Sequence, residues 1–224
     1  TYNRAQLLPR LFKSLCQQAD HNFEWLIVDD GSTDGTESVV NGFQAETFAV
    51  RYVWKENGGK HTAINLGMQY IDTEYTFIVD SDDYLCDDAM RLVNEWIEDI
   101  SGVTGFAGVA GVRVSDNDGY HIIGQFPDKC DYIDCLNSER KQNKLMGDKA
   151  EIYRTELLKK YPFPEYKDEK FMPESVIWNR FSLMGLKVRW HKEGITVCEY
   201  LDCGLTSAMK SISHFDNNIK GYKD

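Results

Sequence analysis

Three short apolar runs each break off in a polar loop and then give way to helical spacing, and this repetition constrains the chain more than any other feature. Phe23 to Val28 ends in Asp29, Asp30, Gly31 and Ser32, and helical spacing resumes from Thr33 to Phe43. Val50 to Trp54 is followed by Glu56, Asn57, Gly58, Gly59 and Lys60, then by a helical stretch from His61 to Ile71. Tyr75 to Val79 runs into Asp80, Ser81, Asp82 and Asp83, and Asp87 to Ile100 reads as a helix with Asp87 or Asp88 at its cap. An earlier helix begins at Leu7, with Pro9 tolerable in its first turn. Parallel strands need crossover connections, so strand–helix alternation over the first hundred residues predicts an α/β fold with a mostly parallel sheet flanked by helices. Ligands in such sheets bind beyond the carboxyl ends of the strands. All three polar loops fall on that rim.

Past residue 100 the alternation weakens. Phe106 to Val114 and Lys149 to Tyr153 read as strands, Glu174 to Met184 as a helix, and Lys187 to His191 with Ile195 to Tyr200 as a hairpin. No repeat or low-complexity linker separates the halves. Residues 1–100 and 101–224 are therefore expected to be subdomains of a single domain, the first binding a ligand at its acidic rim and the second mixed in structure.

The 36 acidic and 25 basic residues give a net charge of −11, which opposes binding to nucleic acid or anionic lipid, so an anionic ligand has to be met locally. No stretch has the roughly 18 uninterrupted apolar residues of a membrane span, and no basic-then-apolar leader opens the chain, which reads as cytoplasmic. Cys130 with Cys135 and Cys198 with Cys203 have spacings that permit a four-thiolate zinc site, but half-buried strand or helix cysteines are the simpler reading. Of the histidines, His61 reads as an exposed residue at a helix start, and His191 and His214 as packing or surface residues. Trp54, Trp96 and Trp190 read as core, while Trp178 lies where it could stack on a sugar face.

Asp80 and Asp82 at one strand end set two carboxylates close together, which is costly unless a cation lies between them. Hard oxygen ligands select magnesium or manganese, and such an ion lets an acidic protein hold a diphosphate.

Four ordered motifs carry a resemblance: Thr1-Tyr2-Asn3-Arg4-Ala5; Val28-Asp29-Asp30-Gly31-Ser32-Thr33-Asp34-Gly35-Thr36; Asn57-Gly58-Gly59-Lys60 with Ala63-Ile64-Asn65-Leu66-Gly67; and Val79-Asp80-Ser81-Asp82-Asp83. Together they resemble the family 2 glycosyltransferases of GT-A fold, strongly to about residue 100 and more weakly to about 205. The resemblance implies an inverting, metal-dependent transfer from a nucleotide sugar, most simply a UDP sugar, to a glycan or glycolipid acceptor in surface polysaccharide synthesis, with peripheral contact at the inner membrane face. It also implies a strand ahead of the Tyr2-Asn3 motif. Tyr2 would flank the nucleobase, Asp30 accept a hydrogen bond from the uracil ring, Lys60 lie near base or phosphates, Asp80 approach the ribose, and Asp82 hold Mn²⁺ or Mg²⁺. Asn3, Gly59 and Ser81 would complete the donor site. Where the family carries a Glu-Asp pair before an aromatic and an arginine, this chain has Pro173-Glu174 before Trp178 and Arg180, so Glu174 becomes the general base. Asp202, in a late segment the family often shows, would line the acceptor side. Three other readings share part of this pattern. A phospho-receiver module shares the acidic pair and an aspartate 50 residues later but lacks the lysine it needs. A sugar-phosphate nucleotidyltransferase lacks its glycine-rich N-terminal signature. The third is a transferase-like domain that binds without turnover.

Overall fold

The structure is a computed structural model that describes residues 1–115, 121–198, 218, 220 and 221. The chain runs α1 (Leu8–Cys16), β1 (Glu24–Asp29), α2 (Thr36–Asn41), β2 (Ala49–Trp54), α3 (Lys60–Gly67), β3 (Tyr75–Phe77), β4 (Tyr84–Leu85) and α4 (Ala89–Asp99). It continues with β5 (Phe106–Ser115), β6 (His121–Ile122), β7 (Tyr132–Cys135), a 3₁₀ turn (Asn137–Glu139), β8 (Lys149–Arg154), α5 (Thr155–Lys160), α6 (Ser175–Leu183) and β9 (Lys187–Val197).

The α/β class is as expected, but the sheet is less parallel. β1 and β2 pair in parallel as a ribbon of their own. β3 joins a second, seven-stranded sheet of order β3-β8-β5-β9-β4, with β6 on β5 and β7 on β9. Among the described residues of that sheet only β5–β9 is parallel, and β3 meets β8 antiparallel. A helical crossover joins β1 to β2 in parallel, as expected, whereas β3 finds its partner, antiparallel, 75 to 79 residues further along. The chain on either side of residue 100 is thus woven into one sheet.

The hairpin expected after residue 187 is a correction. Residues 187–197 form one strand, because Lys192, Glu193 and Gly194 make a bulge rather than a turn: Ala110 pairs with Trp190, and Val112 next pairs with Gly194. A Cβ on Gly194 would lie 2.6 Å from Val114 Cγ1, so a larger residue there would have to displace the Val114 side chain. Residues 199–200 of the expected hairpin, and Asp202, Cys203 and His214, lie outside the described residues.

Strand alternation sorts the core into two layers. Val109, Ile152 and Ile195 pack with Leu11 and Leu15 of α1 and Val93 and Trp96 of α4. Ala110, Tyr153 and Trp190 pack on the opposite face with Ile177, Trp178 and Phe181 of α6. Trp54, expected in the core, is 54% exposed, whereas Trp178, expected at a sugar, is 5% exposed and stacked on Tyr153 with centroids 4.2 Å apart. His61 is buried rather than exposed, and His191 packs on Trp96 at 4.0 Å. Cys135 and Cys198 are buried free thiols. No helix among the described residues is long and apolar enough to cross a membrane.

Candidate active site

The glycine loop is built around Asp30. This buried carboxylate closes β1 and accepts four hydrogen bonds: Oδ1 from Lys55 Nζ at 2.7 Å and Gly58 N at 2.9 Å, and Oδ2 from Asn57 Nδ2 at 3.0 Å and Gly59 N at 2.7 Å. Four donors fill its lone-pair sites, so Asp30 here shapes the loop, and a uracil N–H would have to displace one of them. Asp29 is likewise committed, to Tyr52 Oη at 2.7 Å and Ser32 N at 2.8 Å. Gly59 has φ +98°, and a Cβ on it would stand 2.1 Å from the carbonyl oxygen of Lys170, so only glycine fits beneath the 165–172 segment. That segment also reaches the loop through Lys170 Nζ, 2.5 Å from Asn57 Oδ1.

Thr1 lies along the end of β1, its amine donating to Val28 O and its carbonyl accepting from Asp30 N, both at 2.8 Å. Asn3 bonds the neighbouring turn, its N–H donating to Ser32 Oγ and its Oδ1 accepting from Thr33 N, both at 2.8 Å. These contacts hold Tyr2 at the rim, 48% exposed and presenting a ring to solvent.

Lys60, the first residue of α3, connects the two halves of the site. Its ammonium pairs with Asp80 Oδ1 and lies 2.7 Å from Glu174 Oε1 at the start of α6. Burial opposes its charge, but Asp80 and Glu174 outweigh burial and hold the proton on more tightly than usual. Burial likewise opposes the Asp80 carboxylate, and Lys60 and Arg113 reverse the balance, leaving its pKa well below the ordinary value. Arg113 also reaches Asp83 Oδ2 at 3.0 Å, yet burial wins there and raises the Asp83 carboxyl to about 6. Ser81 and Asp82 sit in the turn that Asp83 N closes on Asp80 O at 3.1 Å. Asp82 Oδ2 pairs with Arg4, while Oδ1 has no partner among the described residues. Arg10 donates to the Asp82 carbonyl at 2.7 Å.

The rim therefore brings together Lys60, Asp80, Asp82 and Glu174, with Asn3 and Tyr2 at its edge and Asp30 beneath the loop. Sequence reasoning did not single out Arg4, Arg113 or Glu151. The last two were detectable as charges inside strands that otherwise read as buried, a pattern that calls for a partner or a function.

No group of three His, Cys, Asp or Glu side chains gathers to hold a metal among the described residues. Magnesium-type sites use one or two carboxylates and complete their shell with water and substrate phosphate, and a half-buried Asp82 with one uncommitted hard oxygen fits that kind of site.

The sequence model of Glycosyl transferase family 2 matches residues 1–162. Glycosyltransferase GlyG of Streptococcus pneumoniae is 27% identical over 197 residues, covering 84% of this chain and 64% of its own. Chondroitin synthase of Pasteurella multocida is 36% identical over 99 residues, covering 44% of this chain and 10% of its own. The chain thus spans less than two thirds of these relatives. Among solved structures, S. aureus TarS 1–349 in complex with UDP-GlcNAc superposes with TM-score 0.73 at 20% identity, covering 96% of this chain and 62% of TarS. The mannosyltransferase PcManGT from Pyrobaculum calidifontis, in complex with GDP-Man and Mn²⁺, gives 0.66 at 19% identity, covering all of this chain and 62% of its own. These likenesses establish the shared fold.

Proposed function

The chain belongs to glycosyl transferase family 2, and on that premise we propose that it moves a sugar from a nucleoside-diphosphate donor, a UDP sugar first, to a hydroxyl of a saccharide or lipid-linked acceptor with inversion. The observation that carries this reading is Lys60 held between Asp80 and Glu174. One cation spans Asp80, assigned here to the donor side, and Glu174, assigned here to the acceptor side, which supports a reading in which the anomeric carbon is met between them. The UDP-GlcNAc and GDP-Man complexes of TarS and PcManGT support a nucleotide-sugar ligand for this fold.

In this scheme Tyr2 flanks the base, and Gly59 allows the loop to close under the 165–172 segment. Asp80 approaches the ribose. Asp82 holds a divalent ion, Mn²⁺ or Mg²⁺, which supplies neutralising charge to the diphosphate. Lys60 and Arg4, now on carboxylates, exchange them for phosphate oxygens as the donor enters. That exchange releases Glu174 to accept the proton of the acceptor hydroxyl as its oxygen attacks the face opposite the leaving diphosphate, which inverts the centre. Surface polysaccharide synthesis at the inner face of the membrane is the setting that suits such an activity. The mixed sheet and the family match leave no place for the phospho-receiver alternative.

A melting series with UDP, GDP, dTDP, CMP and ADP, each with and without manganese, tests the proposal. A ligand at about 100 times its dissociation constant adds about 2.7 kcal/mol, or about 5–10 °C for a chain of this size. A shift confined to one nucleoside diphosphate, dependent on manganese and abolished by Asp82→Ala, is the expected result. No shift with any of the five would overturn the donor site.

A further inference from the structure

Ala150 and Ile152 of β8 face the layer shared with α1 and α4, so Lys149, Glu151 and Tyr153 face α6. Tyr153 meets Trp178 there, ring on ring. Glu151 lies one pleat along the strand from Tyr153, and Glu174 lies one helical turn before Trp178. The contact that joins the aromatic pair therefore places the two carboxyl groups on the same side of the β8–α6 interface, close enough for Glu174 to act on Glu151 through its charge, with Arg113, the partner of Asp80, also within electrostatic reach of Glu151.

Their surroundings differ. Glu174 has Lys60, whereas Glu151 has no hydrogen bond or ion pair among the described residues and is half-buried, within reach of a ligand. Lys149 does not neutralise it, because its ammonium is turned to the carbonyls of Met146 at 2.6 Å and Gly147 at 3.3 Å. Arg113 is committed to Asp80, Asp83 and the Lys149 carbonyl. Arg140, which also pulls on Glu151, spends its guanidinium on the carbonyls of Leu145 and Gly147 and on Asn137 Oδ1, so no cation among the described residues is paired with Glu151. Burial raises the Glu151 carboxyl to about 7 against the pull of Arg113 and Arg140, with Glu174 and Asp148 adding to the rise.

A half-buried carboxylate without a donor is costly, and neighbouring sugar hydroxyls are donors spaced to suit its two oxygens. A second carboxylate brought to the same place meets like charge. We infer that Glu151 holds the transferred sugar by its hydroxyls and restricts the donor to sugars that carry no carboxylate, an inference that rests on the nucleotide-sugar reading above.

Isothermal titration at pH 8 with manganese, using UDP, UDP-glucose, UDP-N-acetylglucosamine and UDP-glucuronate, tests it on the wild type, Glu151→Gln and Glu151→Ala. The wild type should bind UDP-glucuronate at least about tenfold more weakly than the better neutral donor, and Glu151→Gln should shrink the gap to under about threefold while UDP itself moves by less than about twofold. Glu151→Ala should shrink the gap equally and also weaken the neutral donors, because it removes the acceptor as well as the charge. A wild type that takes UDP-glucuronate as readily as the neutral donors, or a gap that both variants leave unchanged, overturns the inference. Failure of the wild type to bind UDP refutes the UDP-sugar reading itself, with Glu151 not involved.

Discussion

Replacing Glu151 with glutamine has a consequence for stability that needs no substrate. Burial, opposed by Arg113 and reinforced by Glu174, raises this carboxyl from the ordinary 4.5 to about 7. Between those values the folded chain holds a proton that the unfolded chain has released, so stability is lost as pH rises through the window and the loss is complete above the folded value. A shift of this size corresponds to a ceiling of about 3 kcal/mol at 1.36 kcal/mol per unit, and partial exposure reduces it to about 2 kcal/mol. Glutamine keeps the shape and removes the charge. The variant should melt about 4–8 °C above the wild type at pH 8 and within about 2 °C of it at pH 5. Scanning calorimetry of both proteins at the two pH values measures the difference directly, and comparing the variant with the wild type cancels other titrating groups such as Asp83. An equal gain at both pH values would show that the carboxylate charge is not what burial penalises. A loss at pH 8 would show that Glu151 has a cation partner.

Glu174→Gln should lower turnover by about 10²- to 10⁴-fold while manganese-dependent UDP binding persists, and full turnover in a coupled UDP-release assay would remove Glu174 as the base. Gly59→Ala forces a Cβ against the Lys170 carbonyl at a φ of +98°, so the melting temperature should fall by about 4–10 °C and UDP affinity should drop with it; an unchanged melt would contradict the close approach. Trp178→Ala removes a ring stacked on Tyr153 and should cost about 3–5 kcal/mol in urea unfolding, whereas the exposed Trp54→Ala should stay within about 0.5 kcal/mol.

The strand ends were readable because they are local. Asp29 and Asp30 and Asp80 to Asp83 directly follow apolar runs, the Asn57 to Lys60 loop follows one after Lys55 and Glu56, and a short run ended by turn residues specifies a strand without help from the rest of the chain. What depended on distant partners was not readable. The union of β3 with β8 is specified by contacts between residues 75–77 and 152–154, and no periodicity in either segment names the other. The Lys192-Glu193-Gly194 sequence has the composition of a turn, and only the register of β5 reveals it as a bulge. His61 and Trp178 were misplaced for a related reason. Each sits beside motif residues, Lys60 and Glu174, while its own side chain turns inward to packing that the motif does not encode. Arg113 and Glu151 were missed because a charge in a buried strand acquires meaning only once its neighbours across the sheet are known.

The segment over the glycine loop also limits how far the loop and the acid can separate. Lys170, whose carbonyl rests against Gly59, and Glu174 are four residues apart, a reach of at most about 14 Å of extended chain. The piece of backbone that rests on the glycine loop thus serves as a short tether for Glu174. Inserting residues between 170 and 174 would give that tether slack and let α6 drift from the loop with every side chain of the site still present. Length, as much as residue identity, is therefore under constraint here.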